Sequence, residues 1–253
     1  MIGYLPAGFP TVDGAVQIIT AMLEHGVDAI EIGLPYSDPL MDGPDIQHAV
    51  DIALRNGTTT DDVLQTVARV SAAGGAAVVM SYWNPIERYG VERFATALAQ
   101  AGGLGVITPD LTIEESADWV QATDAHHLDR IYLVAPSSTA DRIAAITAQV
   151  RGFVYAASTM GVTGARASVD NAAQELVART RAATALPVAV GLGVSSGEQA
   201  AEIGAYADGV IVGSAFVRRV LAAADLEQAI ASIAELAEDL AAGVRRSRTH
   251  QLR

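Results

Sequence analysis

Two carboxylates carry the chemistry this sequence offers. Glu31 stands inside the apolar run Ala29–Gly33, AIEIG, and Asp42 follows eleven residues later at the end of LPYSDPLMDGP, a loop stiffened by three prolines. Strand alternation sends Ile30 and Ile32 to one face and Ala29, Glu31 and Gly33 to the other, so the acid points away from its bulky neighbours. A buried carboxylate is costly unless it is paired or protonated. Glu31 is therefore either half of an ion pair with an arginine across the core or a group tuned for proton transfer. Asp38-Pro39 reads as a turn. Asp42-Gly43-Pro44 reads either as a turn, with Asp45 capping the next helix, or as a rigid loop that aims a second carboxylate.

The elements that must position these groups alternate regularly. Strand-like runs fall at Ile2–Pro6, Ala29–Gly33, Ala77–Tyr82, Gly105–Thr108, Arg130–Val134, Gly152–Ala156, Val188–Gly191 and Gly209–Val212. Ala-rich amphipathic stretches lie between them at Val12–His25, Thr60–Ala73, Ile86–Ala101, Ser138–Gln149, Ala172–Ala183 and Gly197–Ala205, and Asp225–Ala241 follows the last strand. Eight βα units in a chain of this length predict one (β/α)8 TIM barrel spanning residues 1–253 as a single domain. A doubly wound open sheet is the alternative, but no GxGxxG follows the first strand. In a barrel, catalytic groups sit at the C-terminal strand ends, which is where Glu31 and its loop fall.

The last two strands add a second constellation. Gly191-Leu192-Gly193 ends the seventh and Val212-Gly213-Ser214-Ala215 the eighth, before a short helical turn through Phe216-Val217-Arg218. Glycine backbone, a serine hydroxyl and a helix N-terminus suit a phosphate, although such glycines also serve plain tight turns. Ser158–Ser168, small and glycine-rich, suits a closing lid, and Tyr155 just before it either presents a hydroxyl to the site or packs.

Composition removes competing chemistries. The 253-residue chain has no cysteine, and all 16 of its basic residues are arginine. Without lysine there is no Schiff-base aldolase, no lysine-anchored pyridoxal phosphate and no Walker-type site. The five histidines form no plausible metal-ligand spacing, and His126-His127 precedes a strand, at the end of the barrel away from the chemistry. A net charge of −13 argues against nucleic-acid or anionic-membrane partners. No run approaches a membrane span, so a cytoplasmic protein is expected. The arginines at 245, 246, 248 and 253 read as a solvated tail complementing a helix dipole.

The chain resembles the tryptophan synthase alpha subunit family in EIGLPYSDPLMDGP, in SYWNPI with Tyr82, in PDLTIEES, in STMGVTGAR, in GLGVSS and in VGSA, all in family order. The resemblance implies retro-aldol cleavage of indole-3-glycerol phosphate to indole and glyceraldehyde 3-phosphate, with Glu31 as general acid/base, Asp42 as its partner and Tyr155 orienting Glu31. It implies that Tyr82, Thr163, Gly164, Leu192, Gly193, Gly213 and Ser214 bind substrate or its phosphate, and that Thr163 meets the Asp42 loop when a lid closes. It further implies a beta subunit in an alpha2beta2 assembly that receives the indole. That partner would carry the pyridoxal phosphate, leaving this chain without a cofactor. Asp38, Pro39 and Asn84 would meet that partner, although the sequence shows no clear apolar patch there. Family members usually carry a helix before the first strand, covering the barrel bottom, whereas this sequence starts at strand one and so apparently lacks it. Two other readings stay open on the residues alone: a sugar-phosphate isomerase, and a non-catalytic subunit that binds phosphate to regulate a partner.

Overall fold

Short runs of β-branched residues, each closed by glycine, proline or a polar cap, leave room for strands of only two to five residues, and a parallel sheet buries both of their faces. The computed structural model describes residues 1–157 and 166–251. The strands are β1 (Ile2–Pro6), β2 (Ala29–Gly33), β3 (Ala76–Met80), β4 (Gly105–Ile107), β5 (Asp129–Ile131), β6 (Leu133–Val134), β7 (Val154–Ala157), β8 (Val188–Gly191) and β9 (Gly209–Val212). All pair in parallel, in the order β5-β4-β3-β2-β1-β9-β8-β7-β6. The two ends of that order, β5 and β6, are consecutive in the chain, so the sheet closes on itself as a (β/α)8 barrel.

The predicted fifth strand, Arg130–Val134, is two pieces because it changes partner at Tyr132. Asp129–Ile131 is in register with β4, whereas Leu133–Val134 is in register with β7, and the Tyr132 carbonyl accepts from the Tyr155 N–H at 3.2 Å. The β1–β9 seam is brief. It pairs only Ile2 with Ile211 and Gly3 with Val212, against five pairs between β1 and β2.

The surrounding helices are α1 (Val12–Glu24), α2 (Pro44–Arg55), α3 (Thr60–Ala72), α4 (Trp83–Tyr89), α5 (Val91–Gln100), α6 (Ala117–Ala125), α7 (Ala140–Thr147), α8 (Arg166–Ala183), α9 (Gly197–Gly204), α10 (Ser214–Ala222) and α11 (Leu226–Gln251). The helix expected over Ile86–Ala101 is divided at Gly90, whose φ of 100° lies outside helical geometry and starts α5 afresh. Residues 44–55 and 117–125 are helices that apolar periodicity did not reveal, and the expected short turn after Ser214 is a full helix of nine residues. Among the described residues, no helix is long and apolar enough to cross a membrane.

Outward-facing Leu5, Ile30, Ile32, Val79 and Val106 pack under the helices in the main core. Each such side chain, fully buried, contributes ~1.5–3 kcal/mol. Inside the barrel a smaller cluster of Val78, Ile107 and Ile131 fills the centre, with Met80, Leu133, Phe153 and Tyr155 packed against it. Register places Tyr4 and Val78 level with Glu31 on its two neighbouring strands. Arg130, which faces outward, bonds Thr123 and Asp124 of α6 and the Gln149 carbonyl. His126 bonds Glu92 at 2.7 Å and Thr96 at 3.0 Å between α5 and α6, a structural role on the outer helix layer.

Candidate active site

A cavity of about 320 Å³ opens at the C-terminal ends of the strands. Small residues make the space: Ala157, Gly191, Gly193 and Gly213 occupy one side of the mouth, where larger side chains would fill it. Met80, Leu133, Ile211 and Ile46 give an apolar wall suited to a flat aromatic ring. Glu31, Asp42, Tyr4, Tyr155 and Ser214 are the polar side chains on the lining.

Glu31 is 1% exposed, and its Oε1 has no hydrogen-bond partner among the described residues. Among the described residues no arginine pairs with it. Burial alone pushes its carboxyl from an ordinary 4.5 up to about 8, so at neutral pH it carries a proton. The strand forces this outcome. Ile30 and Ile32 must face the helices, and a residue between them has only the barrel interior to enter.

Asp42 is held from behind. The Tyr82 hydroxyl donates to Asp42 Oδ1 at 3.2 Å and accepts from the N–H groups of Leu40 and Met41 at 3.2 and 2.9 Å. Tyr82, a substrate-binding position by family resemblance, is buried beneath this loop, braces it, and is not on the cavity lining. Burial raises the Asp42 carboxyl above its ordinary value, opposed by the bond from Tyr82. Gln47 adds a bond to the Asp42 carbonyl at 2.7 Å. Gly43, not Asp45, is the N-cap of α2, with Pro44 at its first position. Asp45 instead pairs with Arg218 of α10 at 3.2 Å, tying the Asp42 loop to the helix on the far side of the cavity.

That far side is the glycine constellation. Gly193 has φ of 68°, a left-handed conformation that suits glycine, and Gly213 caps α10 without a side-chain bond. By contrast α1, α3, α7 and α9 are capped by Thr11, Thr59, Thr139 and Ser196. The N-terminus of α10, beginning at Ser214, thus meets the cavity with its N–H groups free of side-chain caps, an arrangement that favours an anion. Leu192, between the two glycines, is buried in the core and is not on the cavity lining.

Tyr155 lines the cavity with its phenol deep in the barrel, its acidity weakened by burial and by the neighbouring Glu31. It lies across Gly191, where an added Cβ would stand 2.5 Å from the hydroxyl oxygen. Thr163, Gly164 and residues 158–165 of the expected Ser158–Ser168 lid fall outside the described residues, and its last three residues, Arg166 to Ser168, are the start of α8. Asp38 is exposed and accepts from Ser37 at 2.5 Å, and Pro39 follows in the same turn. Asn84 donates to the Tyr36 hydroxyl at 2.8 Å, and the Tyr36 ring lies 5.6 Å from that of Tyr82, so Asn84 helps brace the loop. Beside Asp38 the structure exposes what the sequence hid: Leu40 is 76% and Met41 55% accessible, an apolar loop tip. Tyr4 and Tyr36 also escaped sequence reasoning. The alternation that singled out Glu31 applies to β1 and would have turned Tyr4 inward.

Barrel and cavity together define the class: a (β/α)8 barrel whose strand-end cavity brings together two carboxylates, an apolar wall and a glycine-lined helix N-terminus. The model of the family described as tryptophan synthase alpha chain matches residues 1–245. The chain belongs to that family and is thereby a carbon–carbon lyase of tryptophan biosynthesis. It is 60% identical to the tryptophan synthase alpha chain of Acidothermus cellulolyticus over 97% of this chain and 91% of the relative. With that of Thermobifida fusca it shares 58% over 97% and 92%. Among solved structures, a Mycobacterium tuberculosis tryptophan synthase chain superposes with a TM-score of 0.89 at 55% identity, covering 96% of this chain and 91% of that one.

Proposed function

We propose that this barrel, acting as a single domain, cleaves indole-3-glycerol phosphate into indole and glyceraldehyde 3-phosphate, as the alpha subunit of a tryptophan synthase. One observation carries the reading: a buried, unpaired and protonated Glu31 shares one cavity with Asp42, an apolar wall and a glycine-lined helix N-terminus. The indole ring lies against Met80, Leu133 and Ile211, and the phosphate takes Gly193, Gly213, Ser214 and, by family resemblance, Gly164. Glu31 gives its proton to indole C3, which breaks the ring's aromaticity and leaves a cation spread to the ring nitrogen. Asp42, ionised, accepts the N–H hydrogen bond and stabilises that cation. The Glu31 carboxylate then takes the proton of the hydroxyl adjacent to C3. The C–C bond breaks, its electron pair restores the aromatic ring, and the hydroxyl carbon becomes the aldehyde. Tyr155 orients Glu31, and by family resemblance Thr163 is assigned to substrate binding with the Asp42 loop.

The partner is a beta subunit that receives indole, in an alpha2beta2 assembly. The exposed tip at Leu40 and Met41, with Asp38, Pro39 and the nearby Asn84, is the surface offered to it. Pyridoxal phosphate belongs to that partner, because this chain has no lysine to anchor it. The test is indole release from indole-3-glycerol phosphate by the chain with its beta subunit, wild type against Glu31→Gln. Wild-type turnover that falls by ~10²–10⁴ in the variant is expected. A folded, partner-bound wild type that releases no indole would overturn the reading.

A further inference from the structure

Helix α4 begins without a cap of its own. Its N-cap residue is Tyr82, whose hydroxyl is engaged on the Asp42 loop and makes no capping bond. The helix start is held instead from another loop. Asp110, half-buried between β4 and α6, accepts from the Trp83 N–H at 2.9 Å through Oδ1. The same peptide group is bonded at its other edge, where the Ser81 hydroxyl donates to the Tyr82 carbonyl at 2.7 Å. The peptide plane joining Tyr82 to Trp83 is thus gripped on both sides. Among the described residues no arginine pairs with Asp110; its bonds are from the Trp83 N–H and its own backbone N–H, which favour the ionised carboxylate against the burial that raises it.

We infer that Asp110 is a positioning residue for the lyase reaction, acting through the Tyr82–Trp83 peptide to aim the Tyr82 hydroxyl at Asp42. This rests on the function proposed above and deepens it with a third carboxylate, one that is not on the cavity lining. The route is bonded at every step. It runs from Asp110 to the Trp83 N–H, through that peptide to Tyr82, and from the Tyr82 hydroxyl to Asp42 Oδ1 at 3.2 Å and to the N–H groups of Leu40 and Met41. A phenol magnifies backbone error, because its hydroxyl is the far end of a rigid side chain, and a misplacement of about 1 Å can cost ~10² in rate. The next residue shares the dependence: Asn84 donates to the Tyr36 hydroxyl at 2.8 Å, so the start of α4 carries both braces of the β2–α2 loop.

Asp110→Ala removes the acceptor. With the beta subunit bound it should lower kcat for indole release about tenfold and change KM much less, while Asp110→Asn, which keeps a side-chain oxygen suited to capping, should recover most of the loss. Because Asp110 acts through Tyr82, its loss should add little once the Tyr82 hydroxyl is gone: kcat of the double variant Asp110→Ala, Tyr82→Phe should lie within about twofold of Tyr82→Phe alone. Factors that multiply in the double variant would overturn the inference, as would an Asp110→Ala protein with wild-type kcat. Should Asp110→Ala fail to fold, Asp110→Glu, its carboxylate displaced by one methylene, carries the same cycle. Amide hydrogen exchange on the full chain gives a readout that needs no turnover. The Leu40 and Met41 N–H groups, bonded to the Tyr82 hydroxyl, should exchange faster when Asp110 is replaced by Ala, and unchanged exchange would also overturn the inference. A wild type that releases no indole would count against the lyase reading, while exchange at Leu40 and Met41 would still decide the link from Asp110.

Discussion

Glu31→Gln should stabilise this protein at alkaline pH while destroying its chemistry. In the folded chain burial holds the Glu31 carboxyl at about 8, against an ordinary 4.5 when unfolded. Below 4.5 the group is protonated in both states and has no effect. As pH rises, the unfolded chain ionises first and binds fewer protons than the native state, so stability falls until the folded carboxyl ionises near 8 and then levels off. Over that interval, at about 1.4 kcal/mol per pH unit, the loss reaches about 5 kcal/mol as an upper bound, since water entering the cavity relieves part of the burial. A neutral amide of the same shape cannot ionise, so Gln at this position escapes the penalty. Urea unfolding of both proteins at a series of pH values reads the difference directly. The two stabilities should lie close together near pH 5 and diverge by several kcal/mol toward pH 8, with the variant ahead. Parallel curves would refute the reasoning, because they would mean that Glu31 ionises in the folded chain as freely as in water.

Tyr82→Phe removes the oxygen that bonds Asp42, Leu40 and Met41, so the loop keeps its residues but loses its brace. Steady-state kinetics should show kcat reduced about tenfold with KM changed much less, the mark of lost transition-state geometry. Gly191→Ala drives a methyl to 2.5 Å from the Tyr155 hydroxyl and should cost ~1–3 kcal/mol. Tyr155→Phe leaves ring carbons at about 3 Å, so in a double-mutant cycle by chemical denaturation it should return part of that loss; strict additivity would count against the overlap.

Much of the barrel was legible because each strand had to bury both faces and each βα unit had to end in a polar or glycine-rich turn. Four strands have the bounds that alternation predicts: Ile2–Pro6, Ala29–Gly33, Val188–Gly191 and Gly209–Val212. The failures have separate physical causes. Pro44 looks like a turn residue yet occupies the first position of α2, where its missing N–H costs nothing. Tyr132 divides a strand because barrel closure changes its hydrogen-bond partner, a demand with no local signature. Glu31 could be singled out because charge inside an apolar run is conspicuous. The polar bracing of Asp42 was opaque, since the Tyr82–Asp42 and Asn84–Tyr36 bonds join residues some forty to fifty positions apart. Tyr4 stayed hidden because an inward tyrosine in a strand looks like ordinary packing.

The carboxylates and the glycine constellation of the cavity come from opposite ends of the chain. Tyr4, Glu31 and Asp42 come from the first two βα units, while Gly193, Gly213 and Ser214 come from the last two, and they face one another only because β1 lies beside β9. Neither half of the polypeptide contains a site by itself. Those two pairs across the β1–β9 seam are what convert a curled sheet into a catalyst, and such a brief junction can open locally at a smaller cost than global unfolding. Indole release then reports seam closure: mild denaturant or a substitution at Ile2, which is off the cavity lining, should silence the enzyme while helix content is still intact.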